Sequence, residues 1–200
     1  MAAKTSPEAK LIAAAISAIL KSGWSSLSLL TLARKAKIDR ETLLGLCASK
    51  HALLILISKS AEPGFLDALP EADEKMPVRD RVFDATLCWF ESLSGLRPVY
   101  QVIHDESGTT PGSIADFLPI ARRAAPWIAD SAKLPDTGWK GLAITAGLSV
   151  LMAETVGVWL ADTPELAKTM AHLDRRLRTI EEWQETIGRA RRQVNTDDDD

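Results

Sequence analysis

This chain of 200 residues has little of what enzyme sites are built from. Its three histidines, His51, His104 and His172, are scattered, and none stands at metal-ligand spacing from a neighbour. Its two cysteines, Cys47 and Cys88, are distant in sequence and match no metal motif. They read as small apolar residues in a reducing compartment. There is no glycine-rich phosphate loop and no nucleophile elbow. No run alternates apolar and polar residues, and no Asn-Gly or Asp-Gly pair marks a hairpin, so a sheet fold is not expected. Secretory signals are missing too: the apolar stretch Leu11 to Leu20 follows Pro7 and Glu8 and leads to no cleavage site. The expectation is an all-α cytoplasmic protein that is not an enzyme and needs no cofactor or metal. The cluster His104-Asp105-Glu106 reads as a helix end with solvated charges.

What is present is apolar and helical. Hydrophobic residues make up 46% of the chain, ample for a core, and charged residues 26%. The net charge of −3 conceals an asymmetry. Residues 1–58 carry eight Lys/Arg against three acids, a basic module of +5, so the remainder carries −8. Such a module suits either a solvated face or contact with nucleic acid.

The longest nearly uncharged run is Gly138 to Asp162, broken only by Lys140 and Glu154. Apolar residues on several of its faces predict a helix buried on most sides. A membrane span is the rival reading. Small residues such as Ala143, Ala146 and Gly147 would let another backbone or a ligand chain approach closely. Glu154, the one acid deep in this run, reads as the partner of an Arg or Lys, or of a ligand hydroxyl.

Helix starts are legible around it. Ser6-Pro7 opens a first helix, Ser28 a second, Asp39 a short third from Arg40 to about Cys47, and Ser49 a fourth. Glu62-Pro63-Gly64 reads as an interruption, and Pro70 to Pro77 as a polar connector. An amphipathic helix follows from Val78, ended by Gly95 and Pro98, then a short one from Val99 to His104. A helix from Ser113 to Asp130 contains Pro119 and Pro126 and is expected to kink or break. Thr163-Pro164 reads as the start of a last amphipathic helix carrying Leu166, Met170, Leu173, Leu177, Ile180, Trp183, Ile187 and Val194, with arginines elsewhere on its surface. That helix could lie on an anionic bilayer, a peripheral contact with the inner membrane. This divides the chain into an N-terminal module (1–58), a helical body for ligand and dimer contacts (59–192), and an acidic tail (193–200) expected to be disordered.

Three short helices with a three- or four-residue turn between the second and third have the layout of a helix-turn-helix. The first helix, Gly23-Trp24, Leu29-Leu32-Ala33, Ala36-x-Ile38-Asp39, Thr42-Leu43 and Ser49-Lys50 resemble the N-terminal domain of TetR-family regulators. That family usually has glycine where this chain has Lys37, and aromatics where it has Leu44, Leu46 and Cys47. DNA contact, if retained, falls to Arg34, Lys35, Lys37, Arg40, Thr42 and Lys50. The set is thin for reading base edges.

A second resemblance covers most of residues 77–180. Pro77-Val78-Arg79-Asp80-Arg81-Val82-Phe83-Asp84, Phe90-x-x-Leu93, Arg97, and the run from Trp159-Leu160-x-Asp162-Thr163-Pro164 to Arg176-Leu177 resemble the coenzyme Q biosynthesis accessory protein family, Coq nine, and its bacterial relatives. The resemblance implies a TetR-like fold, with a three-helix N-terminal module on a C-terminal helical bundle, and a homodimer through the helices from Gly138 and Pro164. It also implies binding of an isoprenoid or other lipid tail and presentation of quinone precursors to a partner hydroxylase. A tail needs an apolar tunnel. The candidate lining is Phe83, Leu87, Phe90, Phe117, Trp127, Leu148, Leu151, Met152, Glu154 and Val158. The alternative function is a ligand-responsive transcriptional regulator.

Overall fold

The computed structural model describes residues 6–107, 111–135 and 137–179. Every regular element among them is helical. Four short helices open the chain: α1 (Pro7–Ser22), α2 (Leu29–Ala36), α3 (Arg40–Leu46) and α4 (Lys50–Lys59). Each begins where a side-chain oxygen can satisfy a free amide of the first turn. Ser6, Ser28, Asp39 and Ser49 accept from the backbone N–H of Ala9, Thr31, Thr42 and Ala52. Leu11, Ala15, Ile19, Leu32, Ala33, Leu43, Leu53 and Ile57 close a core between them. The turn between α2 and α3 is residues 37–39, and Lys37 holds a left-handed backbone there (φ 55°). A glycine would adopt that conformation without the steric penalty of a Cβ.

The body follows: α5 (Glu62–Ala68), α6 (Val78–Ser92), a 3₁₀ turn (Ser94–Leu96), α7 (Arg97–Ser107), α8 (Pro111–Ser131), α9 (Gly138–Leu160) and a helix over 167–179, here α10. Proline corrects the expected boundaries in three places. Pro63 sits in the first turn of α5 instead of interrupting the chain, and Pro98 in the first turn of α7 instead of ending α6. A first-turn proline loses only an amide that has no intrahelical partner. α8 runs unbroken through Pro119 and Pro126. These two are seven residues apart and so share a face. The carbonyls they leave unpaired, at Ala115 and Arg122, belong to exposed residues that water can reach.

The long apolar run folds as α9, which has the length and hydropathy of a membrane span. It is buried less evenly than its sequence suggests. Leu148, Leu151, Met152, Val156 and Trp159 lie in the core, with α7 and α8 packed against the helix. Its first half leaves Trp139 (69% exposed), Leu142 (73%), Ala146 and Val150 on the surface. The expected start of the last helix at Pro164 also shifts. Leu166 is left-handed (φ 57°), and regular helix begins only at 167. The Asp162 carboxylate, not Thr163, takes the free first-turn groups, accepting from Thr169 N–H (2.7 Å) and Thr169 Oγ1 (2.8 Å). Burial works against that charge, but these bonds and the Thr163 amide outweigh it and hold the carboxyl below its ordinary range. The expected helix beyond Thr179, with Trp183, Ile187 and Val194, and the acidic tail lie outside the described residues.

Candidate functional site

A cavity among the described residues measures about 440 Å³. Its walls come from four places in the chain. The first turns of α6 give Val78, Arg79 and Val82, and the α8–α9 connection gives Leu134 and Pro135. α9 gives Ala143, Ile144, Gly147, Leu148 and Leu151, and α10 gives Leu177. The α9 residues recur at three- and four-residue steps, so they form one face of the helix. Ala143 and Gly147 leave open space where larger side chains would fill it. Nothing lies within 4 Å of a Cβ built on Gly147. Among the described residues of the lining, Arg79 is the charged one. Its Nε and Nη2 both donate to Asp80 Oδ1, at 3.0 and 2.9 Å.

Of the ten residues expected to line a tunnel, Leu148 and Leu151 are on this cavity. Phe90, Phe117 and Met152 are fully packed elsewhere. Phe90 lies against Trp89 and Trp159, and Phe117 edge-on to Tyr100 at 5.4 Å. Phe83 and Leu87 pack on the core from its edge, and Val158 is half-buried. Trp127 is 51% exposed and rims a slot of about 20 Å³, room for a single water. Glu154 is taken by protein: Arg176 Nε and Nη2 donate to its two oxygens at 2.6 and 3.1 Å. His172 lies beside this pair, its Nε2 4.0 Å from Glu154. Burial holds the His172 ring below its ordinary pKa; Glu154 pulls the other way, and Arg175 and Arg176 add to the lowering. Reading the sequence alone misses Val78, Arg79, Val82, Leu134, Pro135, Ile144 and Leu177, although it marks Ala143 and Gly147 as permissive.

The N-terminal module offers few free groups. Thr42 spends its hydroxyl on Asp39 (3.0 Å). Lys50 Nζ donates to the carbonyls of Trp24 (3.0 Å) and Ser25 (2.7 Å). Arg34 reaches Thr31 at 3.3 Å. Lys35, Lys37 and Arg40 are exposed, and Leu44, 69% exposed, occupies the outer face of α3. Leucine offers nothing for hydrogen bonding to a base edge or a phosphate.

Polar links join module and body, those of Ser58 with Tyr100 and of Glu106 with the 24–25 loop among them, and a further one closes the end of α9 within the body. Glu106, on α7, accepts from the backbone N–H of Trp24 (3.1 Å), and from both N–H and Oγ of Ser25 (2.6 Å each). It is an exposed charge, as expected of His104-Asp105-Glu106, and a clasp as well. At the other end of α7, Arg97 Nη2 donates to the carbonyls of Trp159 (2.6 Å), Leu160 (3.3 Å) and Asp162. Among the described residues no three His, Cys, Asp or Glu side chains gather as metal ligands. No family model matches the chain, and no characterised protein matches it in sequence.

Proposed function

We propose that this protein binds a hydrophobic small molecule and presents it without catalysing a reaction. The observation that carries the reading is the cavity of about 440 Å³ under α9, lined almost wholly by aliphatic side chains. Pockets for small molecules fall in this size range and have this chemistry. The TetR-like arrangement and the likeness to the coenzyme Q accessory family suggest a lipid of quinone biosynthesis, handed to a partner hydroxylase. The regulator reading is weaker, because Thr42 and Lys50 are engaged inside the protein and Leu44 stands where a polar contact is needed. Native mass spectrometry before and after lipid extraction tests the proposal, alongside titration with the upstream DNA at several salt concentrations. Co-purifying lipid with only sequence-blind, salt-dependent DNA binding supports it. Tight palindrome binding lost in Arg40→Ala would overturn it. Leu151→Trp fills the cavity, so ligand retention should fall about tenfold, equivalent to about 1.4 kcal/mol. Unchanged retention would remove this cavity from the function.

The same reading includes a homodimer through α9. Trp139, Leu142, Ala146 and Val150 make a stripe at three-, four- and four-residue steps, all exposed, with Ala143 and Gly147 beside its middle. Large residues at the ends and small ones between them allow two copies to cross closely about a two-fold axis. Ala146→Glu would set two carboxylates against each other at that crossing. The dimer should weaken by roughly a hundredfold. Light scattering across a concentration series reads the change, and an unaltered mass would rule this face out.

A further inference from the structure

We infer that the α9 groove is completed by a second copy of the chain, so that ligand binding and dimerisation strengthen one another. This rests on the cavity and dimer readings given above and joins them. The groove is not closed within one copy. Val82, Leu148, Leu151 and Leu177 form a buried floor, but Val78, Pro135, Ala143 and Gly147, which also line it, are exposed. A ligand seated there keeps part of its apolar surface in water, and that part contributes nothing to binding.

The open side adjoins the dimer stripe. With about 3.6 residues per turn, Leu142, Ala146 and Val150 occupy one strip of α9, Ala143 and Gly147 the next, and Ile144, Leu148 and Leu151 the one beyond. The border between stripe and groove is therefore a methyl group and a hydrogen atom. A helix crossing the stripe can come close enough there to overhang the groove. Residues 141–150 carry no charge, although Leu142, Ala143, Ala146, Gly147 and Val150 are exposed. The nearest charges on the helix are Lys140 and Glu154, and Glu154 is bonded to Arg176. A charged partner has nothing to pair with on this strip, whereas an identical strip is matched to it about a two-fold axis. Linkage fixes the consequence. Whatever factor the second copy adds to ligand affinity, the ligand adds to dimer affinity.

The test uses the full chain, stripped of bound lipid, with N-phenyl-1-naphthylamine, a neutral apolar fluorophore, as the probe. Sedimentation equilibrium should give a dimer Kd about tenfold lower at saturating probe than without it, within the usual range of such couplings. By fluorescence titration the probe should bind about tenfold more weakly to Ala146→Glu, its helix content checked by circular dichroism. Leu151→Trp should dimerise but no longer respond to the probe. The response of the wild-type dimer needs no variant, so a substitution that misfolds does not spare the inference. A wild-type dimer Kd that the probe leaves unchanged or raises overturns it. If the probe nevertheless binds, and Leu151→Trp weakens that binding, the cavity reading stands without it. If the chain stays monomeric with and without the probe, the dimer reading falls too, and flotation with phosphatidylcholine vesicles would then identify a bilayer as the cover of this face. If no probe binds, the cavity reading and the inference fall together.

Discussion

Replacing Arg97 by alanine is expected to lower the stability of the protein by roughly 3 kcal/mol, the upper range for a single side chain of this kind. The reason lies at the end of α9. The last carbonyls of any helix lack intrahelical partners, and their partial charges sum to a negative pole. α9 ends at Leu160 with no glycine after it. Arg97 reaches from the start of α7 and gives Nη2 to the carbonyls of Trp159, Leu160 and Asp162. Its guanidinium carbon also lies 5.4 Å from the Trp159 ring centroid. Trp159 is itself 1% exposed, so the group works where water cannot substitute for it. Hydrogen bonds to a charged donor contribute about 1.5–3 kcal/mol, and the cation–π contact about 0.5–1 kcal/mol more. Lysine keeps the charge but not the flat, forked geometry, so Arg97→Lys should recover less than half of the loss. Denaturant unfolding of the three proteins measures this. A loss below about 1 kcal/mol, or full rescue by lysine, would show that the α9 end is held by other groups.

Arg97 also shows what was legible beforehand. The sequence links Arg97 to Trp159-Leu160-x-Asp162 only through a family resemblance; the structure supplies a physical reason for the pairing, one donor closing one helix end. The start signals of α1 to α4 were readable because capping is local, an oxygen three residues from the amide it serves. Proline was misread at Pro63 and Pro98 because the same residue stops one helix and starts the next, and only the following turn decides which. Thr163-Pro164 looked like a start, but the left-handed Leu166 delays the helix and the cap passes to Asp162. The cavity was half visible. Leu148 and Leu151 belong to a face that periodicity reveals, whereas Arg79, Pro135 and Leu177 meet it only through the packing of α6, the 134–135 connection and α10. Phe90 and Phe117 looked like tunnel walls because a core aromatic and a ligand-facing one have the same sequence pattern. For Glu154 the sequence leaves an Arg or Lys partner and a ligand hydroxyl both open, and the partner it has in the fold is Arg176.

Gly23→Ala should destabilise the protein by about 2 kcal/mol and, in addition, loosen the N-terminal module from the body. Two separate faults combine. Gly23 has φ 83° and ψ 167°, a region that only glycine enters readily. A Cβ there would also stand 2.1 Å from Glu106 Oε1. The carboxylate can swing away, being the far end of a flexible side chain, but doing so gives up its bonds to Trp24 and Ser25. Those bonds, first the Ser25 hydroxyl and amide and then the Trp24 amide, hold the Glu106 carboxyl below its ordinary value. A depressed carboxylate stabilises the folded state above the unfolded pKa, near 4.5, and that stability is lost as pH falls through the lower folded value. The wild type should therefore lose part of its advantage over Gly23→Ala in acid, while the backbone share of the difference persists. Glu106→Gln should remove the acid-sensitive part alone. Lys50 remains on the carbonyls of the same two residues, so the 24–25 loop is released from one side only. Hydrogen exchange at Trp24 and Ser25, with denaturation curves at pH 7 and pH 3.5, separates the two contributions. If amide exchange at these residues is as slow in Gly23→Ala as in the wild type, the module is joined to the body by its other contacts, the Ser58–Tyr100 hydrogen bond among them, and not by this clasp.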